Sequence, residues 1–215
     1  MKKLAISVLF IIKAVACAYA EAPLEGFVLI TELDSTIEVD LMYAKSDNFV
    51  GEVMYDFTDA YLHPKAASAV AEANRILGKL HPGWRLCVYD ATRPMSVQQK
   101  MWDKVKGTSK QNYVSNPRNG GGLHNYGLAV DVSIVDQNGD SVDMGTRVDE
   151  LTYLSHIDNE DELVEQGKIT PRALDNRRLL RRVMREAGFL TIRTEWWHFN
   201  YTTRADAKAN YKVVK

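Results

Sequence analysis

Eight residues at 128 to 135, L-A-V-D-V-S-I-V, alternate in a way that suits an extended strand. Leu128, Val130, Val132 and Ile134 fall on one face, and Ala129, Asp131 and Ser133 on the other. The first face has to be buried against a core. An aspartate on the opposite face of so apolar a strand needs a partner, because a buried polar group without one is costly. A fold open to this chain must supply both.

The flanking elements narrow the choice. F-V-L-I and T-I-E-V-D-L read as two short strands with a turn at Asp34-Ser35, and L-C-V-Y and F-L-T-I as two more. Pro64 opens a helix in which Ala67, Val70, Ala73, Leu77 and Leu80 keep helical spacing until His81-Pro82-Gly83 stops it. A second helix is predicted from about Ser96 through Met101, Trp102 and Val105, and a last one from about Leu174 to Ala187, ended by Gly188. Strands and helices interleave, but several strand pairs are joined by short turns. The expectation is a single α+β domain, with a mainly antiparallel sheet flanked by helices.

At 215 residues and 46% apolar, the chain can bury a full core of its own. Lys plus Arg is 27 against 28 for Asp plus Glu, with no long basic block, which argues against a nucleic-acid partner. Residues 1–20 read as a Sec-type signal peptide: Lys2 and Lys3, then the apolar run L-A-I-S-V-L-F-I-I, then Ala18-Tyr19-Ala20 before Glu21. The expected product is a domain over 21–215, exported to the periplasm or secreted. Lipidation at Cys17 is the lesser alternative, because Ala14 stands where a lipoprotein signal has Leu. The run is too short to span a bilayer comfortably, so no membrane span is expected after signal removal. Cys87 is then the one cysteine left, which rules out an intramolecular disulfide, and its apolar setting suits a buried strand residue rather than a nucleophile.

Chemistry concentrates in three places. The polar, Gly-rich stretch from Gly107 to Gly122 is either disordered or the border of a site. His63 and His81 flank the first helix as turn or capping residues, and His156 lies in a polar stretch with a similarly structural reading. His124 stands seven residues before Asp131. In an extended chain the two would be roughly 23 Å apart on opposite faces. They can share a ligand only if the chain turns at Asn125-Tyr126-Gly127; otherwise they are an unrelated hairpin histidine and strand aspartate. T-E-W-W-H-F at 194 to 199 adds Glu195 and His198. Residues three apart in a regular strand face opposite ways, so this segment must bulge or make one helical turn, and the two indoles are suited to hold it. Two His and an Asp make three metal ligands with an open fourth position, and Glu195 is a spare carboxylate of the kind a general base requires.

L-M-Y-A-K-S-D-N-F at 41 to 49, Y-D-A-T-R-P at 89 to 94, G-L-H-N-Y-G-L-A-V-D at 122 to 131, M-G-T-R-V-D at 144 to 149 and E-W-W-H at 195 to 198 occur in that order. Together they resemble the zinc D-alanyl-D-alanine peptidases, and in particular the dipeptidase branch. The resemblance implies the fold those enzymes share with hedgehog-like signalling domains. It also implies one zinc ion per chain on His124, Asp131 and His198, Glu195 as general base, and Arg93 as the group that meets the oxyanion. Tyr43 and Asp149 match positions that line the substrate pocket, where Asp149 would pair with a dipeptide's ammonium. The implied activity is hydrolysis of D-Ala-D-Ala or a close relative in cell-wall peptide metabolism.

One position departs from the pattern. Gly122 stands where the family usually has a serine that makes a polar contact to substrate, so the departure bears on substrate affinity more than on zinc. Two competing readings remain: a D,D-carboxypeptidase or endopeptidase acting on peptidoglycan stem peptides, and a non-catalytic zinc-stabilised binding domain. An intact Glu195 and Arg93 weigh against the second. Oligomeric state is left open.

Overall fold

A computed structural model of the chain describes residues 24–215. The leader expected at 1–20, with Cys17, lies outside the described residues. Within them, no helix is long and apolar enough to cross a membrane. The elements in chain order are β1 (Val28–Leu29), α1 (Ile30–Leu33), β2 (Glu38–Val39), β3 (Tyr61–Leu62), α2 (Pro64–Leu80), β4 (Arg85–Asp90), α3 (Met95–Val105), β5 (Ala129–Val135), α4 (Glu160–Glu165), α5 (Pro171–Glu186), β6 (Leu190–Thr191), β7 (His198–Asn200) and α6 (Arg204–Asn210).

The alternating stretch forms β5, the central strand of a five-stranded sheet in the order β2-β4-β5-β7-β6. Only the β2–β4 pair is parallel; the other three pairs are antiparallel, as expected of an α+β domain. Every residue of β5 is buried, so its polar face is covered as fully as its apolar one. β1 and β3 form a separate antiparallel ribbon.

α2 starts where Pro64 supplies a pre-set φ and His63 Nδ1 accepts the Lys65 N–H at 3.3 Å. Its stripe Ala67, Val70, Ala73 and Leu77 is wholly buried against the core, with Val70 and Leu77 each contributing about 1.5–3 kcal/mol by leaving water. Leu80 is 39% exposed, so the buried stripe ends a turn before the spacing does. His81 caps the far end and stacks on Trp84 with ring centroids 4.6 Å apart. Asn74, buried on the inner face of α2, accepts the Leu86 N–H at 2.8 Å and donates to Asp34 Oδ2 at 2.7 Å, tying the helix to β4 and to the turn before β2.

Three expectations need correction. F-V-L-I is extended only at Val28–Leu29; Ile30–Leu33 coils into a helical turn closed by the Asp34 N–H on the Ile30 carbonyl at 3.2 Å. Four apolar residues carry too little periodicity to separate strand from helix. α5 begins at Pro171 rather than about Leu174, because Thr170 caps it by accepting the Ala173 N–H at 2.9 Å. α4 and α6 were not anticipated.

One buried cation sets up the site from a distance. Arg177 on α5 is 1% exposed and donates to the carbonyls of Met144 at 2.7 Å and Leu154 at 3.1 Å. The segment that carries Asp149 is thereby pinned to a helix. Cys87 is buried in β4, and burial pushes its thiol up to about 12, as suits a packing residue.

Candidate active site

The sheet register brings the first chemistry together. Asp131 in β5 lies opposite His198 in β7, and on its other side opposite Asp90, where a bulge interrupts the β4–β5 ladder. His124 reaches the same spot because Leu123–Tyr126 make a tight turn that ends at Gly127 in the left-handed region, φ 64°. Only glycine fits there, since a Cβ would sit 2.3 Å from a Phe27 ring carbon. The turn foreseen at Asn125-Tyr126-Gly127 is what cancels the extended-chain separation. Its backbone is latched to the Arg93 segment: the Arg93 N–H donates to the His124 carbonyl at 3.0 Å, and Asn125 Nδ2 donates to the Arg93 carbonyl at 2.8 Å.

Three donor atoms converge. His198 Nδ1 lies 2.9 Å from Asp131 Oδ1 and 3.1 Å from His124 Nε2, which is 3.4 Å from Asp131 Oδ1. A tetrahedral ion bonded at roughly 2.0–2.1 Å holds its donors about 3.3 Å apart, so the triangle has the size a small divalent metal requires. The outer nitrogens fix the tautomers. His124 Nδ1 is 2.7 Å from the Ala91 carbonyl and His198 Nε2 is 2.9 Å from Asn200 Oδ1. Each oxygen accepts a hydrogen, which leaves a lone pair on each inner nitrogen, the arrangement usual for metal-binding histidines. Three converging lone pairs repel unless a proton or a metal cation lies among them. Burial disfavours charge on His124, yet the Asp131 and Asp90 carboxylates outweigh it and raise its pKa. Burial likewise opposes ionisation of Asp131, and the two imidazoles still hold it well below the usual carboxylate range. The pocket attracts a cation.

The Glu195–His198 segment makes the single turn its spacing demanded, with the His198 N–H 3.4 Å from the Glu195 carbonyl. Both indoles are buried and meet edge to face with centroids 5.4 Å apart. Trp196 Nε1–H donates to Thr146 Oγ1 at 2.7 Å, and the Trp197 carbonyl accepts the Val132 N–H at 3.0 Å, so the turn is fixed to β5 and to the 144–155 segment. Glu195 Oε2 stands 3.9 Å from His198 Nδ1, beside the triangle and outside it. Burial pushes its carboxyl up to about 7, against the pull of His198 and with help from the Asp131 and Asp149 charges. A carboxyl so poised can exchange a proton near neutrality.

Arg93 follows the bulge. Its Nε–H and an Nη2–H go to Asp90 Oδ2, and an Nη1–H goes to Gln98 Oε1 at 3.0 Å. Three of the guanidinium's five donors are used in this way, and the side chain lines the cleft. Asp90 is wholly buried, accepts the Tyr55 hydroxyl at 2.6 Å, and reaches to 3.5 Å from His124 Nδ1.

Tyr43 and Asp149 also meet here. The Tyr43 hydroxyl donates to Asp149 Oδ1 and the Phe49 N–H to Asp149 Oδ2, both at 2.9 Å, while Arg93 packs over the Tyr43 ring 5.1 Å from its centroid. Asp149 is the non-glycine residue in the left-handed region among the described residues, at φ 69°, a conformation aspartate tolerates better than most. It forms no ion pair among them, and burial pushes its carboxyl up to about 7 despite its two donors. The cleft, about 330 Å³, is bordered by Tyr43, Arg93, Ser115, Asp149, Glu195 and His198. Ser115 confirms that the Gly107–Gly122 stretch borders the site.

His63, His81 and His156 lie outside this group; His156 bonds the Tyr113 hydroxyl at 3.1 Å. Sequence reasoning missed Tyr55, Gln98 and Asn200 as supports, none of which carries a local cue. Asp90 belongs with these supports and did have a cue nearby, since it sits in the same Y-D-A-T-R-P segment as Arg93.

The D-Ala-D-Ala dipeptidase family matches over residues 24–214. A D-alanyl-D-alanine dipeptidase of Escherichia coli is 33% identical over 163 residues, covering 76% of this chain and 78% of the relative. One from Synechocystis is 31% identical over 159 residues, covering 60% and 64%, and one from Enterococcus faecalis is 24% identical over 193 residues, covering 81% and 90%. Among solved structures, that of the LdcB LD-carboxypeptidase aligns with a TM-score of 0.45 at 18% identity, over 86% of this chain and 72% of that one.

Proposed function

The chain belongs to the D-Ala-D-Ala dipeptidase family of peptidases, and on that premise we propose that it hydrolyses free D-alanyl-D-alanine, or a closely related dipeptide, with one zinc ion per chain. His124, Asp131 and His198 would hold the ion; two imidazoles, one carboxylate and an open side suit zinc. When bound, it supplies Lewis acidity that polarises a carbonyl and makes water more acidic. Glu195 accepts a proton from the attacking water on its carboxylate and passes it to the leaving amine nitrogen. Glu195 needs its ionised form for the first transfer, which a dication held by the three ligands would favour. Arg93, on the wall of the cleft, would meet the oxygen that gains charge as the carbonyl is attacked, and Asp90 and Gln98 hold its guanidinium in place.

One observation carries the choice of a dipeptide. Asp149 is a buried carboxylate without an ion-pair partner among the described residues, in a cleft at the small end of the usual ~300–1,000 Å³ range. A free ammonium is the partner that would relieve it, and a dipeptide brings one within two residues of its scissile bond. In a longer stem peptide the nitrogen of the residue that carries the scissile carbonyl is an uncharged amide. We also place this work outside the cytoplasm, on the basic, apolar and small-residue order of residues 1–20, which favours processing of wall-derived fragments. Mature protein recovered from the periplasm should then begin at Glu21. The deciding experiment is mass spectrometry of the purified, zinc-loaded protein with D-Ala-D-Ala and with a stem pentapeptide. Rapid release of free D-alanine from the dipeptide is expected. Trimming of the pentapeptide with the dipeptide left intact would establish the carboxypeptidase reading instead.

A further inference from the structure

Gly122 has an ordinary extended backbone, φ −102°, so the chain does not need glycine there for its conformation. It needs the space. A Cβ on residue 122 would lie 3.0 Å from Ser115 Oγ and 3.3 Å from Ser115 Cβ, and contacts that close require a neighbour to move. Ser115 therefore occupies the volume that a side chain at 122 would fill. Its carbonyl accepts Gln98 Nε2–H at 2.7 Å, and the same Gln98 holds Arg93, so the serine's backbone is anchored to the catalytic machinery. Its hydroxyl has no hydrogen-bond partner among the described residues and borders the cleft.

We infer that Ser115 is a specificity residue, taking through its hydroxyl the free carboxylate of the substrate's C-terminal residue, and that Gly122 is the complementary vacancy that lets it do so. The inference rests on the peptidase reading above. A zwitterionic dipeptide presents an ammonium and a carboxylate; Asp149 can take only the first, since like charges repel. Ser115 is a neutral donor, and a hydroxyl that donates to a carboxylate makes one of the stronger, charge-assisted bonds.

The test compares D-Ala-D-Ala with its C-terminal amide, which keeps the scissile bond and removes the charge. Ser115→Ala should lower kcat/KM for the carboxylate substrate roughly tenfold to a hundredfold, mainly through KM, and leave the amide nearly unchanged. Gly122→Ser alone should not help, because two side chains then compete for one space. The double variant Ser115→Ala/Gly122→Ser should recover most of the loss by returning a hydroxyl from the neighbouring strand of the loop. A purely structural serine would be neither rescued by the exchange nor selective for charge. Equal losses on carboxylate and amide, or no loss on either, would overturn the assignment. Should the parent trim the stem pentapeptide and spare the dipeptide, the dipeptidase reading fails, while the same carboxylate-to-amide ratio on the pentapeptide still decides the role of Ser115.

Discussion

Glu195 and Asp149 share one physical feature, a carboxyl raised to about 7 chiefly by burial, and would use it differently. Glu195 lies beside the metal triangle without being part of it, so Glu195→Ala should retain zinc by elemental analysis and lose turnover by ~100-fold or more. Retained activity would remove it from the proton path. Asp149 must be ionised to pair with an ammonium. As pH falls through about 7 it takes up a proton, and kcat/KM for the free dipeptide should drop by up to about tenfold per unit below that point. Arg93 opposes the rise and the Asp131 charge favours it, while Tyr43 and the Phe49 N–H bond the carboxylate directly. Asp149→Asn keeps the shape and tolerance for positive φ but cannot ionise, so this acid limb should vanish while a limb from Glu195 remains. Dipeptide acetylated at its amino terminus should lack the Asp149 limb with either enzyme. The same limb persisting in Asp149→Asn would assign it elsewhere.

The segment after β2 and before β3 turns on one side chain. Asn48 Nδ2 donates to the carbonyls of Lys45 at 2.7 Å and Glu52 at 2.9 Å, and Asn48 Oδ1 accepts the N–H groups of Val50 at 2.8 Å and Gly51 at 3.0 Å. This knot presents the Phe49 N–H to Asp149. Asn48→Ala should loosen the loop and cost ~1–2 kcal/mol of ordering, a roughly fivefold to thirtyfold loss in kcat/KM on the free dipeptide with zinc content unchanged. If the variant also fails to bind zinc, the damage is global and the local account is wrong. Elements were legible in proportion to their periodicity. α2 and β5 show theirs over many residues, whereas β1 and α1 divide four apolar residues between two conformations. E-W-W-H announced its turn because its chemistry required Glu195 and His198 on one side. The bulge at Asp90 depends on which strands pair, and the contact between Ser115 and Gly122 on how a loop closes; neither is encoded in local spacing.

At the scale of the molecule, a metal ion held by His124, Asp131 and His198 would be a cross-link. His124 and His198 are 74 residues apart in sequence, one on a turn and the other on β7, and Asp131 on the central strand joins them. The unfolded chain cannot hold the three donors together, so an ion that binds them binds the folded state and stabilises it. With free zinc at about 100 times its Kd the gain is ~2.7 kcal/mol. For a chain of this length that corresponds to a rise in Tm of roughly 5–10 °C. The rise should depend on pH. In the metal-free protein the raised pKa of His124 means that its proton stabilises the fold below the ordinary histidine value, and that this contribution is lost as pH climbs through the raised one. Zinc must displace that proton in acid and meets no such competition in base. Thermal melts of chelator-treated protein with and without zinc should therefore show a larger shift at about pH 8 than at about pH 6. Asp131→Ala should abolish the shift at both, since two imidazoles alone make a much weaker site. A zinc shift that survives Asp131→Ala, or that is the same size at both pH values, would place the stabilising ion somewhere other than this triangle.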